Sequence, residues 1–195
     1  MTGSLVVIER AVGSVVDLED VKDHLRVDHG DDDAQIQALI MAAITEFEDP
    51  NLGWLGRSIT QRGLEMRLDG FSVCLGLRCG PLVDEDDADI EIAYEAVDGT
   101  DQVVPRSSYR LLDAASASPR IMLQPGASWP ATRAVPHCVR VRYTAGYPAD
   151  DPRLAPFKAA VKLHVEMIYD GDVDRQDKLR ATINALLQPY RVYTF

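Results

Sequence analysis

Apolar residues recur every three or four positions near both ends of this chain, but they alternate with polar residues in its middle. The first spacing lines one face of an α-helix, and the second places one side of a β-strand against a core. The helical spacing predicts helices at about 17–27, 32–48, 155–170 and 175–188. Two helices near each end, with strands between them, indicate the α+β class.

Alternation in the middle of the chain predicts a small antiparallel sheet with one solvated face. The Asp98-Gly99 step is typical of a tight turn between two of its strands. The segments that alternate are 64–68, 90–95, 109–112, 120–123 and 139–144.

The simplest arrangement that buries all four helical faces is a four-helix bundle formed by the N-terminal and C-terminal helix pairs. The sheet is then an insertion at about 57–145, and residues 189–195 form a tail. At 195 residues the chain is long enough for one domain with a substantial core. We therefore expect a single α+β domain over residues 1–195.

An acidic run from Asp28 to Asp33 separates the first two predicted helices. An EF-hand loop needs an oxygen ligand at position 3, glycine at position 6 and glutamate at position 12. Counted from Asp28, these positions hold Gly30, Asp33 and Leu39, so the run does not match a calcium loop.

Helix capping explains the acidic run better. We predict that Asp31 or Asp32 caps the second helix by accepting a hydrogen bond from a backbone N–H of its first turn. Asp17 is predicted to cap the first helix in the same way. The run then acts as the hinge of a helical hairpin, while a second acidic run at 84–89 is interpreted as a solvated loop.

The charge balance argues against tight binding to nucleic acid or to an anionic membrane. Twenty basic and 31 acidic residues give a formal net charge of −11, which repels phosphate groups. No stretch approaches the roughly 20 apolar residues that cross a bilayer, and the N-terminus does not match a signal peptide. We expect a cytoplasmic protein with no membrane partner.

The three cysteines are predicted to be free thiols, because their number is odd and no export signal is evident. A zinc site of Cys74, Cys79, Cys138 and His137 is disfavoured. The last two residues are adjacent on a predicted strand, so their side chains point to opposite faces.

Known catalytic patterns are missing from the sequence. It has no glycine-rich phosphate loop, no nucleophile elbow and no His-Glu-x-x-His helix. We predict no catalytic residue, cofactor or metal. Two alternatives stay open, a small enzyme that uses His137, Cys138 or the acidic loops, and a monomeric or dimeric binding module.

Seven segments, taken in their order and spacing, resemble the head-tail connector proteins, or adaptors, of long-tailed phages and phage-derived gene-transfer particles. The resemblance covers nearly the whole chain, although the turn Glu48–Trp54 departs from the small turn that is common in that family. The matching segments are 18–47, which includes the acidic run, 57–61, 68–71, 108–111, 129–130, 140–147 and 186–191.

The resemblance implies a structural role without catalysis. Such proteins form a ring, usually dodecameric, beneath the portal of a DNA-filled head, and the other side of the ring meets the stopper or tail protein. DNA passes through the lumen without tight binding, which an acidic wall would favour. The protein would then be cytoplasmic during assembly and afterwards part of the particle at the head-tail junction.

The resemblance also implies that the C-terminal tail reaches the portal. Tyr190, Arg191, Tyr193 and Phe195 are of residue types that are enriched at protein interfaces. The alternative is that the tail folds back on its own helices.

Overall fold

The computed structural model describes residues 3–9, 15–51, 53–83 and 89–193. Within these residues, helices lie near both ends of the chain and most strands lie between them, so the protein is α+β, as predicted. In chain order, the elements are β1 (Ser4–Glu9), α1 (Leu18–Leu25), α2 (Asp33–Glu48), β2 (Arg62–Leu68), β3 (Cys74–Gly76), β4 (Glu91–Glu95), β5 (Asp101–Val103), β6 (Tyr109–Leu112), β7 (Arg120–Leu123), β8 (Val139–Ala145), α3 (Ala155–Tyr169) and α4 (Val173–Leu187).

These elements form two compact units. The β unit contains β1 together with the described residues of 60–148, and the helical unit contains those of 15–59 and 149–193. The β unit is thus not one continuous insertion, because its first strand precedes both N-terminal helices.

The β unit consists of two antiparallel sheets. A five-stranded sheet has the order β1-β2-β8-β4-β5, and a three-stranded sheet has the order β3-β7-β6. Alternate side chains of both sheets meet in one core, which includes Leu64, Ile92 and Val141 of the larger sheet and Leu75 and Ile121 of the smaller. The alternation in the sequence therefore predicted the inward-facing positions Leu64, Ile92 and Val141 correctly, but it did not predict β3.

The register of β2 and β8 places charges on the outer face of the larger sheet. Glu65 lies opposite Arg142. The Glu65 carboxylate is 3% exposed and accepts hydrogen bonds from Arg67 Nε at 2.7 Å and Arg142 Nε at 2.8 Å. Burial raises the pKa of Glu65, but these hydrogen bonds outweigh burial and lower it.

Strand β1 was not predicted from the sequence. Its residues Leu5 to Ile8 are all apolar, so they show no alternation, and the strand pairs with β2 more than 50 residues later. Pairing over such a distance leaves no local signal in the sequence.

In the helical unit, α3 packs against α1, α2 and α4. The faces predicted for α2 and α3 are buried except for Leu39, which is half-buried, and Ile168, which is 45% exposed. Helix α4 buries only Ile183 and Leu187. No helix in the described part of the chain is long and apolar enough to span a bilayer.

The predicted capping hydrogen bonds are absent at the first two helices. Asp17 and Asp32 occupy the N-cap positions of α1 and α2, but neither side chain accepts a bond from its helix. Asp31 is exposed before the start of α2. A side-chain cap is instead present at α4, where Asp172 accepts from the backbone N–H of Asp174 at 3.0 Å.

Two carboxylates of the acidic run bind other helices instead of capping α2. The Tyr169 hydroxyl of α3 donates to Asp32 Oδ2 at 2.6 Å, and Lys22 Nζ of α1 lies 2.7 Å from Asp33 Oδ1. The hydrogen bond to Asp33 raises the pKa of Lys22. This part of the run therefore joins α1, α2 and α3, which is a more specific role than the predicted cap.

Candidate functional site in the helical unit

The tail after α4 lies against the loop that follows α2. The backbone N–H of Val192 donates to the Leu55 carbonyl at 2.8 Å. The next residue of the loop is Gly56, with φ +67°, and a Cβ at this position would lie 3.0 Å from the Val192 carbonyl oxygen. Glycine therefore allows the loop and the tail to approach this closely.

Tyr190 anchors the first half of the tail. Its ring centroid lies 4.9 Å from that of Phe157 in α3, and its side chain is half-buried. The Tyr190 carbonyl accepts a hydrogen bond from Arg57 Nη1 at 3.3 Å. This residue, predicted for the portal interface, thus contacts its own helical unit.

The second half of the tail is more exposed. The Arg191 guanidinium lies 5.6 Å from the ring centroid of Trp54 and 5.1 Å from that of Tyr193, both at cation–π distance. Tyr193 is 56% exposed. Phe195, also predicted for the interface, lies outside the described residues. The tail therefore has an anchored part and an exposed part.

A groove of about 590 Å³ opens beside the tail. Its apolar residues come mainly from the C-terminal end of α2 and from α3, and half of its polar residues come from α4. The lining residues are Glu46, Phe47, Trp54, His164, Met167, Ile168, Gln176, Arg180, Ile183, Asn184 and Arg191.

His164 lies in the wall of the groove and is only 5% exposed. Its ring meets Phe47 edge to face at 5.4 Å, and its Nε2 lies 3.5 Å from Glu46 Oε2. Burial lowers the pKa of His164 and Arg180 acts in the same direction, whereas Glu46 opposes them. His164 is therefore a neutral histidine that packs in the wall of the groove.

The four residues of the disfavoured zinc site belong to the β unit. Cys79 and Cys138 are buried in its core, and Cys74 is half-buried on β3. The backbone N–H of His137 donates to Asp69 Oδ1 at 2.9 Å. Among the residues that the structure describes, no three His, Cys, Asp or Glu side chains are grouped to hold a metal.

The sequence did not predict the residues that hold the tail. Trp54 was noted only in a turn that departs from the connector pattern, and Arg57 only in a segment that matches it. Leu55 was not noted, and Phe157 lies in a predicted helix. Arg57 and Tyr190 are separated by 133 positions, so their contact has no local signal.

A family model matches residues 15–61 of this chain, and the family is described as phage gp6-like head-tail connector protein. The matched segment contains α1, α2 and the loop that contacts the tail. This match confirms the predicted resemblance to connector proteins.

A solved structure described as the neck of a native GTA particle computed with C12 symmetry contains a chain with a similar fold. The TM-score is 0.67 with 20% sequence identity, over 96% of this chain and 97% of that chain. A search of curated proteins finds no match.

Proposed function

We propose that this chain is a structural adaptor subunit of a phage-like particle, where it forms a ring between the portal and the stopper or tail protein. The observation that carries this proposal is the connector family match over residues 15–61, and the fold shared with a neck chain over nearly the full length supports it. The subunit would be made in the cytoplasm and would end at the head-tail junction.

The ring is a homo-oligomer, and we infer twelve copies because the neck with the similar fold was computed with C12 symmetry. Both units then belong to one connector subunit. Its four helices would act as a bundle, which is supported by the contacts of α3 with each of the other three helices.

The lumen of the ring would carry DNA without binding it tightly. A net charge of −11 repels the phosphate backbone, so DNA can slide past the wall instead of being held there. This property suits a channel better than it suits a DNA-binding module.

The tail is the part of the subunit that we propose for portal contact, through Tyr190, Arg191, Tyr193 and Phe195. Its described contacts with the helical unit include one backbone hydrogen bond, one long bond from Arg57 and ring contacts. A hydrogen bond contributes about 0.5–1.5 kcal/mol net, so these contacts hold the tail on the helical unit and leave the exposed Tyr193 available to the portal.

No specific observation favours the enzyme alternative. Cys138 is buried in the core of the β unit, and His137 is exposed and bonded through its backbone to Asp69. We therefore propose an adaptor without catalytic activity or cofactor.

Removal of residues 190–195 tests the tail proposal. The truncated chain should keep its helical circular dichroism and its fold, but it should no longer sediment with purified portal rings. The matched control is Val173→Ala, which removes a side chain that is 75% exposed at the start of α4 and should leave portal binding unchanged. Portal binding by the truncated chain at the wild-type level would refute the role of the tail.

A further inference from the structure

The rim of the groove carries two arginines that lack a carboxylate partner. Arg180 and Arg191 are exposed, and neither forms an ion pair within the described residues. Arg191 lies over Trp54, while the Glu46 carboxylate faces His164. With His164 neutral, the groove has a net positive charge in a chain whose net charge is −11.

The side of the groove beneath these arginines is apolar and partly open to solvent. Phe47 and Ile183 are buried there, whereas Ile168 is 45% exposed although it belongs to the apolar face of α3. Aromatic and arginine side chains are enriched at protein interfaces, and Trp54, Arg180 and Arg191 all line this groove. The charge of the rim selects a partner segment that carries carboxylates.

The turn between α1 and α2 provides exposed carboxylates. Asp32 and Asp33 are engaged by α3 and α1, as described above. Asp28 is exposed, and the side chain of Asp31 is 95% exposed, with His29 as its ion-pair neighbour at 3.9 Å. We call residues Asp28 to Asp31 the acidic turn.

The acidic turn and the groove lie at different ends of α2. Glu46 in the groove is thirteen residues beyond Asp33, which corresponds to about 20 Å along a helix that rises 1.5 Å per residue. At this separation, a subunit does not fill its own groove with its own turn. Copies of the chain in a head-to-tail arrangement can pair the two patches.

We propose that the acidic turn of one copy docks on the groove of the next copy, with Asp28 and Asp31 facing Arg180 and Arg191. A cyclic ring needs two different patches on each subunit that fit each other at every boundary, and these two patches meet that requirement. The inference rests on the proposed function, because it takes the ring as its premise. The contact between the acidic turn and the groove would close the ring.

Cross-linking between copies tests this contact and leaves all four charged groups in place. One full-length variant carries His29→Cys in the turn, and the other carries Asn184→Cys in the groove. Both also carry Cys74→Ser, so that the native thiols that remain are the buried Cys79 and Cys138. The variants are mixed at low ionic strength and treated with a short bismaleimide.

We expect the mixture to give about tenfold more cross-linked dimer than either variant alone, because charge complementarity places the two thiols together. Arg180→Glu in the groove variant should abolish this excess, and so should Asp31→Lys in the turn variant. The two charge reversals combined should restore it. High salt should reduce the yield, because exposed ion pairs are screened.

Equal yields in the mixture and in the separate variants would overturn the proposal, as would insensitivity to both charge reversals. A third variant with Asp86→Cys tests the second acidic run as the occupant. If it cross-links to Asn184→Cys in place of the turn variant, the groove belongs to that run and the proposal is wrong.

Failure of this contact and failure of the adaptor function give different results. If wild-type protein forms rings on purified portal but no turn-to-groove cross-link appears, the ring is closed by another surface and the adaptor function stands. If it neither binds portal nor cross-links, the premise itself fails.

Discussion

Replacement of Glu65 by glutamine tests the electrostatics of the outer sheet face. The substitution keeps the size of the side chain, removes its charge and turns an NH₂ group toward one of the two arginines. Hydrogen bonds to a charged group contribute about 1.5–3 kcal/mol, against about 1 kcal/mol for neutral ones. Two bonds from Arg67 and Arg142 are affected.

The expected loss is smaller than this difference suggests, because the two arginine side chains are 42% and 49% exposed and water screens them. We expect Glu65→Gln to reduce the free energy of unfolding of the β unit by about 1–2 kcal/mol. For a chain of this size, that corresponds to a fall in Tm of about 2–8 °C.

Urea unfolding followed by the fluorescence of Trp129 measures this effect. Trp129 belongs to the β unit, where its Nε1 donates to the Ser72 carbonyl at 2.8 Å, and Trp54→Phe removes the signal of the helical unit. The control is Glu91→Gln, since Glu91 is 49% exposed and contacts Arg142 at 3.2 Å. We expect the control to lose less than about 0.5 kcal/mol.

The pH dependence gives an independent check. Because the pKa of Glu65 in the folded protein lies below the ordinary value of 4.5, the stability from its charge is present above pH 4.5. It is lost as the pH falls through the folded-state pKa. The difference between wild type and Glu65→Gln should therefore be full at pH 7 and should shrink as the pH falls below 4.5. An equal loss in Glu91→Gln, or a difference that does not shrink as the pH is lowered, would refute the reasoning.

Three further predictions follow from close packing. Gly146→Ala should destabilise the β unit by about 3 kcal/mol or more, because φ is +110° and the new Cβ would lie 2.1 Å from the Thr60 carbonyl oxygen. Thermal unfolding measures this loss. The control is Gly76→Ala, because a Cβ at Gly76 would have no neighbouring atom within 4 Å. Gly56→Ala should weaken the contact between loop and tail and speed tryptic cleavage after Arg191, which mass spectrometry follows over time; an unchanged rate would show that this contact does not protect the tail. Phe157→Ala should lower the free energy of unfolding of the helical unit by about 3–5 kcal/mol, because it removes a fully buried ring. Urea unfolding followed by far-ultraviolet circular dichroism measures this loss, and a smaller loss would contradict the prediction.

The sequence predicted the elements whose periodicity is local. The helices at 32–48 and 155–170 are found at Asp33–Glu48 and Ala155–Tyr169, and the short strands Tyr109–Leu112 and Arg120–Leu123 have the predicted bounds. In each case, the side chains that repeat along one element also define its buried face, so the pattern and the packing have the same cause.

Features that depend on distant pairing were missed or misjudged. The apolar run Leu5–Ile8 of β1 shows no alternation, and the strand is defined only by its pairing with β2. Asp31 or Asp32 was predicted to cap α2, but Asp32 accepts a hydrogen bond from Tyr169 instead, and Asp33 pairs with Lys22. A carboxylate at a helix start suits either role, and only the positions of the neighbouring helices decide between them.

In the candidate site, too, some residues could be selected from the sequence, and others are defined only by contacts between distant parts of the chain. Tyr190 and Arg191 were selected by residue type and by the connector resemblance, whereas Trp54, Leu55 and the groove were not. Tail and loop are more than 130 residues apart in the chain, so no local pattern predicts their contact.

Electron microscopy of purified portal rings mixed with this protein tests the central claim most directly. The account predicts an additional ring of density on one face of the portal, with twelve subunits around its axis, in the presence of the full-length chain. Portal particles without added density, at protein concentrations that saturate any binding, would contradict the adaptor function.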